Sequence, residues 1–257
     1  MKLLKVEYLP ILNAKISLLS TVDLLSYIQN RIQLQKKTII GSGNIHSFNL
    51  ALRHKWYSQF LMDADVVRID GEGVRLGASI LHGVQIPERS TWADFGIYLA
   101  EFCQKNGLSL FFLGSETGIA ERAKKELTFR FPGINILGTH HGFFDKSHPG
   151  VENKKVLEYI NELSPDILIV GFGMPLQEKW ILENIDQIGA KVICTGGAVF
   201  EYLSGTAERG SSFFIRNGFE WVDRLIRNPA RLWKRYIIGN PVFLLKIFLQ
   251  KFSKKGL

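Results

Sequence analysis

The chain has 257 residues, enough for one large hydrophobic core or for one core with a small appendage. Its 46% hydrophobic and 22% charged residues are ordinary for a globular protein and exclude a disordered chain. The net charge of +8 is unevenly distributed. From Arg209 onward, eleven Lys and Arg residues face only Glu220 and Asp223, so the last 49 residues carry all of the excess positive charge.

The start of the chain and its two cysteines indicate a cytoplasmic protein. Lys5, Glu7 and Lys15 interrupt the apolar start, which argues against a cleavable signal peptide. No apolar run reaches the ~18 residues that a membrane-spanning helix needs. Cys103 and Cys194 have apolar neighbours and no second cysteine at metal-binding spacing, as is typical of buried thiols in a reducing compartment. We expect a cytoplasmic chain that at most lies on a membrane surface.

Short apolar runs alternate along the chain with longer amphipathic stretches. The predicted strands are Thr38–Gly41, Val66–Ile69, Leu108–Leu113, Ile134–Leu137, Ile167–Val170 and Val192–Cys194. The predicted helices are Val22–Leu34, Ser47–Leu61, Val74–Leu81, Trp92–Lys105, Thr117–Arg130, Val151–Leu163 and Pro175–Ile188. Strands that alternate with helices of this length form βαβ units. The pattern therefore predicts an α/β fold with a three-layer, mostly parallel sheet.

Several strand ends run directly into glycine-rich loops. These loops are Gly41-Ser42-Gly43-Asn44, Asp70-Gly71-Glu72-Gly73, Gly114-Ser115-Glu116-Thr117-Gly118, Gly171-Phe172-Gly173 and Gly196-Gly197. In a parallel sheet, ligands bind beyond the carboxyl ends of the strands, where helix N-termini attract anions. The loops indicate a site for a nucleotide or its diphosphate. Each loop taken alone is also explained by a tight turn between a strand and a helix.

After Gly210 the strand-like segments stop and helical patterns follow. Asn228 suits an N-cap and Pro229 suits the first position of a helix, and the pair recurs as Asn240-Pro241. Three helices are predicted, over Phe213–Arg227, from Asn228-Pro229 toward Ile238, and from Asn240-Pro241 to Lys251–Lys255. We divide the chain into a core of residues 1–208 and a basic helical appendage of residues 209–257.

The appendage combines cationic and apolar stripes. The cations that recur every three or four residues are Arg224, Arg227, Arg231, Lys234 and Arg235. The apolar residues expected opposite them are Val222, Leu225, Ile226, Leu232, Trp233, Tyr236 and Ile237. A further apolar face is expected from Phe243, Leu244, Ile247, Phe248 and Phe252, with Lys246, Gln250 and Lys254 opposite. Because each Lys or Arg near an anionic membrane contributes ~1 kcal/mol, we expect docking on such a surface. The patch lacks a nucleic-acid fold signature, so we expect no nucleic-acid partner.

Three polar residues could serve a reaction at the strand ends. Asp70 follows a strand, where a carboxylate could take a proton from an attacking hydroxyl, although Asp-Gly also forms simple turns. Asp94 is its rival, but it lies in a helical pattern where it could cap the helix or pair with Arg89. Gln177 lies in the first turn after Pro175, where an amide could bond a base or a sugar hydroxyl.

Two neighbouring patterns receive ordinary structural interpretations. After Gln177, we assign Glu178 and Lys179 to a solvated helix face and Trp180 to the core. The group His140, His141, Asp145 and His148 lies in a loop without the i, i+4 spacing of helical metal ligands. We therefore predict a structural loop and no bound metal.

Taken together, the motifs resemble the WecG/TagA/CpsF glycosyltransferases (glycosyltransferase family 26) from about Ile39 to Leu244. The segments that carry the resemblance are Ser42–Asn44, Ala64–Val74, Pro87–Arg89, Phe112–Ser115, Gly138–Phe144, Gly171–Trp180, Gly196–Ala198, Glu220-Trp221 and Asn228–Pro241. The resemblance implies a Rossmann-like fold with a carboxyl-terminal helical appendage that docks at the membrane. It also implies inverting, metal-independent transfer of a sugar from a UDP donor, without a cofactor. The implied acceptor is a sugar on undecaprenyl diphosphate at the cytoplasmic membrane face, in the synthesis of teichoic acid or another surface polysaccharide.

The resemblance also implies roles for single residues. Asp70 matches the proposed catalytic base, and Ser42 and Asn44 match a substrate-pocket element that usually has threonine in place of the serine. The other matched positions, together with the loop residues expected to bind substrate, are Arg89, Gln177, Asp94, Gly114, Gly171, Gly173, Gly196, Gly197, Arg224, Arg231 and Lys234. Of these residues, Arg224, Arg231 and Lys234 are expected to neutralise the donor diphosphate. Family members often have arginine at the position of Lys234, and the planar guanidinium of arginine binds oxyanions bidentately.

The chain departs from the family pattern in two places, and two functions stay open. Trp92-Ala93-Asp94 stands where Gly-Thr-Asp is usual, and Gly210-Ser211 replaces Ala-Pro. Both departures bear on the preference for an N-acetylmannosamine-type hexosamine over a related hexose or uronic acid.

The leading hypothesis for the function is a hexosyltransferase, and the formation of a homo-oligomer stays open. The alternative is a non-catalytic scaffold that binds a nucleotide-sugar at the membrane surface. A dehydrogenase is disfavoured because no Gly-x-Gly-x-x-Gly fingerprint is present.

Overall fold

The computed structural model describes residues 5–84, 86, 90–207, 210, 214 and 218–253. The chain divides into two compact units. The first comprises Met1–Lys5, Thr21–Gly41 and Trp92–Glu208, and the second comprises Val6–Ser20, Ser42–Thr91 and Arg209–Leu257. The separation of a core at residues 1–208 from an appendage at 209–257 stays a prediction.

The strands form a hairpin and a six-stranded sheet. Their bounds are β1 (Tyr8–Ile11), β2 (Ala14–Ser17), β3 (Thr38–Gly43), β4 (Val66–Ile69), β5 (Ser109–Gly114), β6 (Asn135–His140), β7 (Ile167–Gly171) and β8 (Val192–Thr195). The sheet has the order β4-β3-β8-β7-β5-β6, and its pairings from β3 through to β6 are parallel. The predicted α/β fold with a mostly parallel sheet is confirmed, and all six predicted strands are present.

Burial explains why these strands were recognisable from the sequence. Every residue of β4, β5, β7 and β8 is buried. Strands that are covered on both faces are continuous apolar runs, which is the pattern of a parallel sheet. In the first unit, Phe112 on β5 packs on Phe200 with ring centroids 5.0 Å apart, and Phe111 packs edge-on against Tyr159 at 5.4 Å.

Among the described residues, the helices before the tail match the predicted ones apart from one break and the additional helix α9. Their bounds are α1 (Thr21–Gln33), α2 (Ile45–Arg53), α3 (Lys55–Asp63), α4 (Glu72–His82), α5 (Trp92–Asn106), α6 (Ile119–Arg130), α7 (Val151–Leu163), α8 (Leu176–Asn184) and α9 (Val199–Leu203). The single helix predicted over Ser47–Leu61 is wrong, because His54 adopts an extended backbone and separates α2 from α3. Helix α8 is also shorter than predicted and ends at Asn184.

The hairpin and α9 were not predicted from the sequence. Strands β1 and β2 pair antiparallel, from Tyr8 opposite Ser17 to Ile11 opposite Ala14. Each has four residues, and Lys15 lies within β2, so the apolar alternation is too short to stand out. Ile11 and Ile16 are nonetheless fully buried, and the Ser17 hydroxyl accepts the Val67 N–H at 2.9 Å. The hairpin is therefore part of the core of the second unit.

The tail forms α10 (Glu220–Arg227), α11 (Pro229–Trp233), a π-helical turn (Lys234–Ile238) and α12 (Gly239–Ser253). Asn228 and Pro229 take the predicted N-cap and first helical positions. The predicted start of a third helix at Asn240-Pro241 is wrong, because the helical path is unbroken from Pro229 to Ser253. The π turn ends at Ile238, three residues before Pro241, and its shifted backbone hydrogen bonds accommodate a proline that cannot donate one. Most of the predicted start of the first tail helix, 213 and 215–217, lies outside the described residues.

The residues of the predicted apolar face of α12 divide between two sides of the helix, one buried and one exposed. Phe243 and Ile247 are fully buried in the second unit, where Phe243 packs on Phe48 with ring centroids 6.0 Å apart. Gly77 admits this approach, since a Cβ there would lie 2.9 Å from the Phe243 ring. Residues spaced i, i+3, i+4 and i+7 on the helix are instead exposed by 45–64%: Leu245, Phe248, Leu249 and Phe252. In the described part of the chain, no helix combines the length and apolar character needed to cross a membrane.

Candidate functional site

In the second unit, Asp70 and Asn44 are in direct contact. The side-chain nitrogen of Asn44 donates a hydrogen bond of 3.3 Å to Oδ2 of Asp70. The Asp70 N–H donates to the main-chain oxygen of Gly43 at 2.9 Å, so the end of β4 is attached to the end of β3. Asn44 is itself held by a reciprocal capping box with Ser47 at the start of α2. The arrangement fixes the orientation of a half-buried carboxylate at the strand ends.

A buried arginine joins the same group of residues. Arg68 is 3% exposed and lies two residues before Asp70 on β4. Its guanidinium donates to the Ser42 hydroxyl at 2.9 Å and to the main-chain oxygen of Ser90. The Ser90 N–H in turn donates to the Ile69 oxygen at 2.8 Å. Sequence reasoning missed Arg68, although an arginine inside an otherwise apolar strand is a signal of a buried polar network.

The structure therefore places Ser42, Asn44 and Asp70 at the neighbouring ends of β3 and β4, where Asn44 is bonded to Asp70 and Ser42 to Arg68. Arg89, which was predicted to belong to the same pocket, lies outside the described residues. The binding and catalytic roles of all four residues stay predictions.

In the first unit, Gln177 connects two of the predicted glycine-rich loops. It is fully buried, and its side-chain oxygen accepts the Gly197 N–H at 2.9 Å. Its nitrogen donates to the Glu178 carboxylate at 2.8 Å. The prediction that Glu178 is solvated is wrong, because it is 1% exposed and hydrogen-bonded to this amide. Trp180 is buried as predicted, and Lys179 is exposed.

The glycines at the strand ends of the first unit allow close packing of neighbouring segments. A Cβ on Gly171 would lie 2.9 Å from the Gly197 oxygen, and a Cβ on Gly196 would lie 2.7 Å from Val199. Gly114 has φ of +149° and directly abuts Gly171. The contacts explain why glycine is needed at these positions, and binding roles for these residues and for Gly173 stay predictions.

Trp92 and Asp94 lie in the first turn of α5. Trp92 is 6% exposed, and its indole N–H donates to the Thr195 oxygen at the end of β8 at 2.6 Å. The tryptophan that departs from the family pattern thus joins α5 to the sheet within the first unit. Asp94 is half-buried, and its role in substrate binding stays a prediction.

The predicted cations of the tail differ in exposure. Arg231 and Lys234 are exposed, whereas Arg224 is half-buried. Arg227 pairs with Asp223 at 2.9 Å. Arg235 lies over the Tyr236 ring at 5.5 Å from its centroid. Arg231 and Lys234 are therefore accessible to solvent, and binding of the donor diphosphate by these residues stays a prediction.

His46, on α2, lies in a positively charged part of the second unit. Burial, together with the charges of Arg235 and Arg53, lowers the pKa of its imidazole to about 4. The ring is therefore neutral at physiological pH.

The histidine-rich loop after β6 is held by internal contacts. The rings of His140 and His141 are 4.6 Å apart, and the Asp145 carboxylate accepts the N–H and hydroxyl of Ser147, each at 2.9 Å. These hydrogen bonds lower the pKa of Asp145. Within the described ranges, no group of three or more His, Cys, Asp or Glu residues is arranged to hold a metal ion.

Comparison with known proteins decides the family. The model of the glycosyl transferase WecG/TagA/CpsF family matches residues 9–256. The chain belongs to this family. Three Staphylococcus aureus proteins, from strains MRSA252, MW2 and NCTC 8325 / PS 47, are each 30% identical to it over 228 residues. The alignments cover 84% of this chain and 81% of each relative. Each relative is named N-acetylglucosaminyldiphosphoundecaprenol N-acetyl-β-D-mannosaminyltransferase.

Family membership confirms the resemblance seen in the motifs and the enzyme class that it implied. The chain is a glycosyltransferase of the WecG/TagA/CpsF family. The match covers residues 9–256, so it extends beyond the motif-based resemblance of about Ile39 to Leu244 and includes nearly all of the hairpin and the end of α12.

Proposed function

We propose that the chain transfers a hexosamine of the N-acetylmannosamine type, or a related hexose or uronic acid, from a UDP donor to a sugar linked to undecaprenyl diphosphate. The names of the S. aureus relatives support both the transferred group and the lipid-linked acceptor. The UDP donor is what the family resemblance implies. The product would enter teichoic acid or another cell-surface polysaccharide.

The contact between Asn44 and Asp70 carries the mechanistic part of the proposal. In this mechanism Asp70 accepts the proton of the acceptor hydroxyl while that oxygen forms a bond to the anomeric carbon of the donor. The bond from the anomeric carbon to the UDP oxygen breaks on the opposite face, so the configuration inverts and UDP leaves with the electron pair. Asn44 supports this role because its amide donates to one carboxylate oxygen of Asp70 at 3.3 Å and so holds that side chain in place.

Cations of the tail would stabilise the departing UDP. Arg231 and Lys234 are exposed, and Arg224 lies one helix earlier. Fixed positive charges at a developing diphosphate lower the barrier because they require no reorganisation during the reaction. We therefore propose a reaction that needs neither a metal ion nor a cofactor.

The exposed apolar face of α12 supports a position on the inner face of the cell membrane. Leu245, Phe248, Leu249 and Phe252 project from the second unit, next to the exposed Lys246. A helix with apolar and cationic residues at its surface binds anionic lipid through both. Docking there would bring the enzyme to a lipid-linked acceptor.

Replacement of Asp70 tests the proposal. With UDP-N-acetylmannosamine and a short-chain polyprenyl diphosphate-linked N-acetylglucosamine, Asp70→Asn is expected to lower kcat by about 10²-fold or more, because a general base contributes 10²–10⁴-fold. Asp63→Asn is the matched control, since Asp63 is an exposed carboxylate at the end of α3. Near-normal turnover by Asp70→Asn would contradict the assignment of the base. UDP-sugar binding by the wild type without UDP release would favour the non-catalytic scaffold.

A further inference from the structure

Ser115 adopts a backbone conformation that residues other than glycine rarely adopt. It follows the end of β5, and its φ is +60°. Among the described residues other than glycine, positive φ also occurs at Leu12, Gln35 and Ser164, which lie at a turn or a helix end and are exposed or half-exposed. Ser115 is only 7% exposed. The left-handed region is strained for an L-residue, whereas glycine enters it freely.

Hydrogen bonds from two neighbouring segments hold Ser115 in this conformation. Its N–H donates to the Gly171 oxygen at the end of β7 at 3.0 Å, and its own carbonyl oxygen accepts the Gly142 N–H at 2.8 Å. The chain at Gly142 packs closely here, because a Cβ at Gly142 would lie 3.3 Å from the Ser115 nitrogen. Strained backbone that its surroundings hold in place is concentrated at ligand-binding and active sites.

The side chain of Ser115 adds a second unfavourable feature. Its hydroxyl oxygen is buried and has no hydrogen-bond partner among the residues that the structure describes. An unpaired buried hydroxyl destabilises the fold, and so does the strained φ. Glycine at this position would remove both. The isolated fold therefore gains nothing from a serine at residue 115.

We propose that the Ser115 hydroxyl binds the nucleoside diphosphate part of the sugar donor, an inference that rests on the proposed function. Ser115 lies at the carboxyl ends of β5 and β7, the edge of a parallel sheet where nucleotides bind. A polar group of the nucleotide supplies the hydrogen bond that the fold does not provide. Because every UDP-sugar contains this part, the contact contributes to donor affinity whichever sugar is transferred.

Replacement of Ser115 by glycine separates a role in binding from a role in the fold. Titration calorimetry with UDP is expected to show affinity about tenfold lower for Ser115→Gly, as loss of one hydrogen bond to a charged ligand implies. The melting temperature of Ser115→Gly is expected to equal or exceed that of the wild type. Ser115→Ala, which removes the hydroxyl but keeps the strain, is expected to lose the same affinity.

Ser164→Gly is the matched control. Ser164 also has positive φ, at +47°, but it is exposed at the end of α7 and its hydroxyl donates to the Asn161 oxygen at 2.8 Å. We expect the UDP affinity of Ser164→Gly to equal that of the wild type. Unchanged UDP affinity in Ser115→Gly would overturn the inference, and so would a melting temperature several degrees lower, since the hydroxyl would then serve the fold. If wild-type protein neither binds UDP nor transfers sugar, the proposed function fails as well.

Discussion

The side chain of Asn44 makes two hydrogen bonds with opposite ends of its amide. Its oxygen accepts the Ser47 N–H at 3.0 Å at the start of α2, and its nitrogen donates to Asp70 at 3.3 Å. The N-cap of a helix is thereby joined to the carboxylate that we propose as the base. The two bonds need different atoms of the side chain. Capping requires only the oxygen, which accepts a hydrogen bond, whereas the contact with Asp70 requires the nitrogen, which donates one.

Replacements of Asn44 should separate these contributions. Asn44→Ala loses both bonds, so we expect a free energy of unfolding lower by about 1 kcal/mol together with a lower kcat. Asn44→Ser keeps a good N-cap but lacks the amide nitrogen, so its stability should stay close to the wild type while its kcat falls as in Asn44→Ala. Urea denaturation and steady-state kinetics measure the two quantities. Wild-type kcat in Asn44→Ser would show that the contact with Asp70 is unimportant for turnover.

The exposed apolar face of α12 should control binding to membranes. Replacing Phe248 and Phe252 by serine removes two side chains that are 45% and 64% exposed, without altering the charge. Because a buried apolar side chain contributes about 1.5–3 kcal/mol, we expect sedimentation with phosphatidylglycerol vesicles to weaken at least tenfold. The matched control replaces Phe129 and Val151, which are exposed by 88% and 73% in the first unit. Equal sedimentation of the two double variants would contradict docking through α12.

Protonation of His46 should destabilise the protein in mild acid. Its pKa in the folded protein is about 4, lowered by burial and by Arg235 and Arg53, against 6.5 in an unfolded chain. Below pH 6.5 the unfolded chain takes up a proton that the folded protein does not, so stability is lost as the pH falls from 6.5 to 4. Between pH 7.5 and 5, the protonation of His46 should therefore lower the free energy of unfolding by about 2 kcal/mol.

Urea denaturation of the wild type and of His46→Gln at both pH values isolates this effect. The variant should lose less stability on acidification, by the same amount of about 2 kcal/mol. Parallel pH dependence in the two proteins would exclude His46 as the cause.

Gln177 should be required for stability as well as for any role in substrate binding. Gln177→Ala removes the partner of the Gly197 N–H and one hydrogen bond to Glu178 in a fully buried location. Buried polar groups that lose a partner cost about 1–3 kcal/mol, so we expect a lower melting temperature. Gln104→Ala is the control, because its amide donates to Pro132 at an exposed position. If Gln177→Ala melts as the wild type does, the amide is structurally dispensable and any loss of turnover reflects substrate binding alone.

The sequence by itself determined the sheet, the enzyme family and the amphipathic nature of the tail. Buried parallel strands are continuous apolar runs, so β3 to β8 were visible without any knowledge of their neighbours. The motifs likewise carried the family resemblance that the comparison with known proteins confirmed. The signals in both cases are local, because each can be read from consecutive residues.

Only the tertiary structure decided which polar and apolar residues are buried. Glu178 has the pattern of a solvated helix face, but the amide of Gln177 holds it inside. Phe243 and Phe252 belong to one apolar pattern, yet one packs against Phe48 and the other is exposed. The contact between Asn44 and Asp70 joins residues 26 positions apart. Burial and hydrogen bonding depend on partners that are distant in the chain, so local patterns do not determine them.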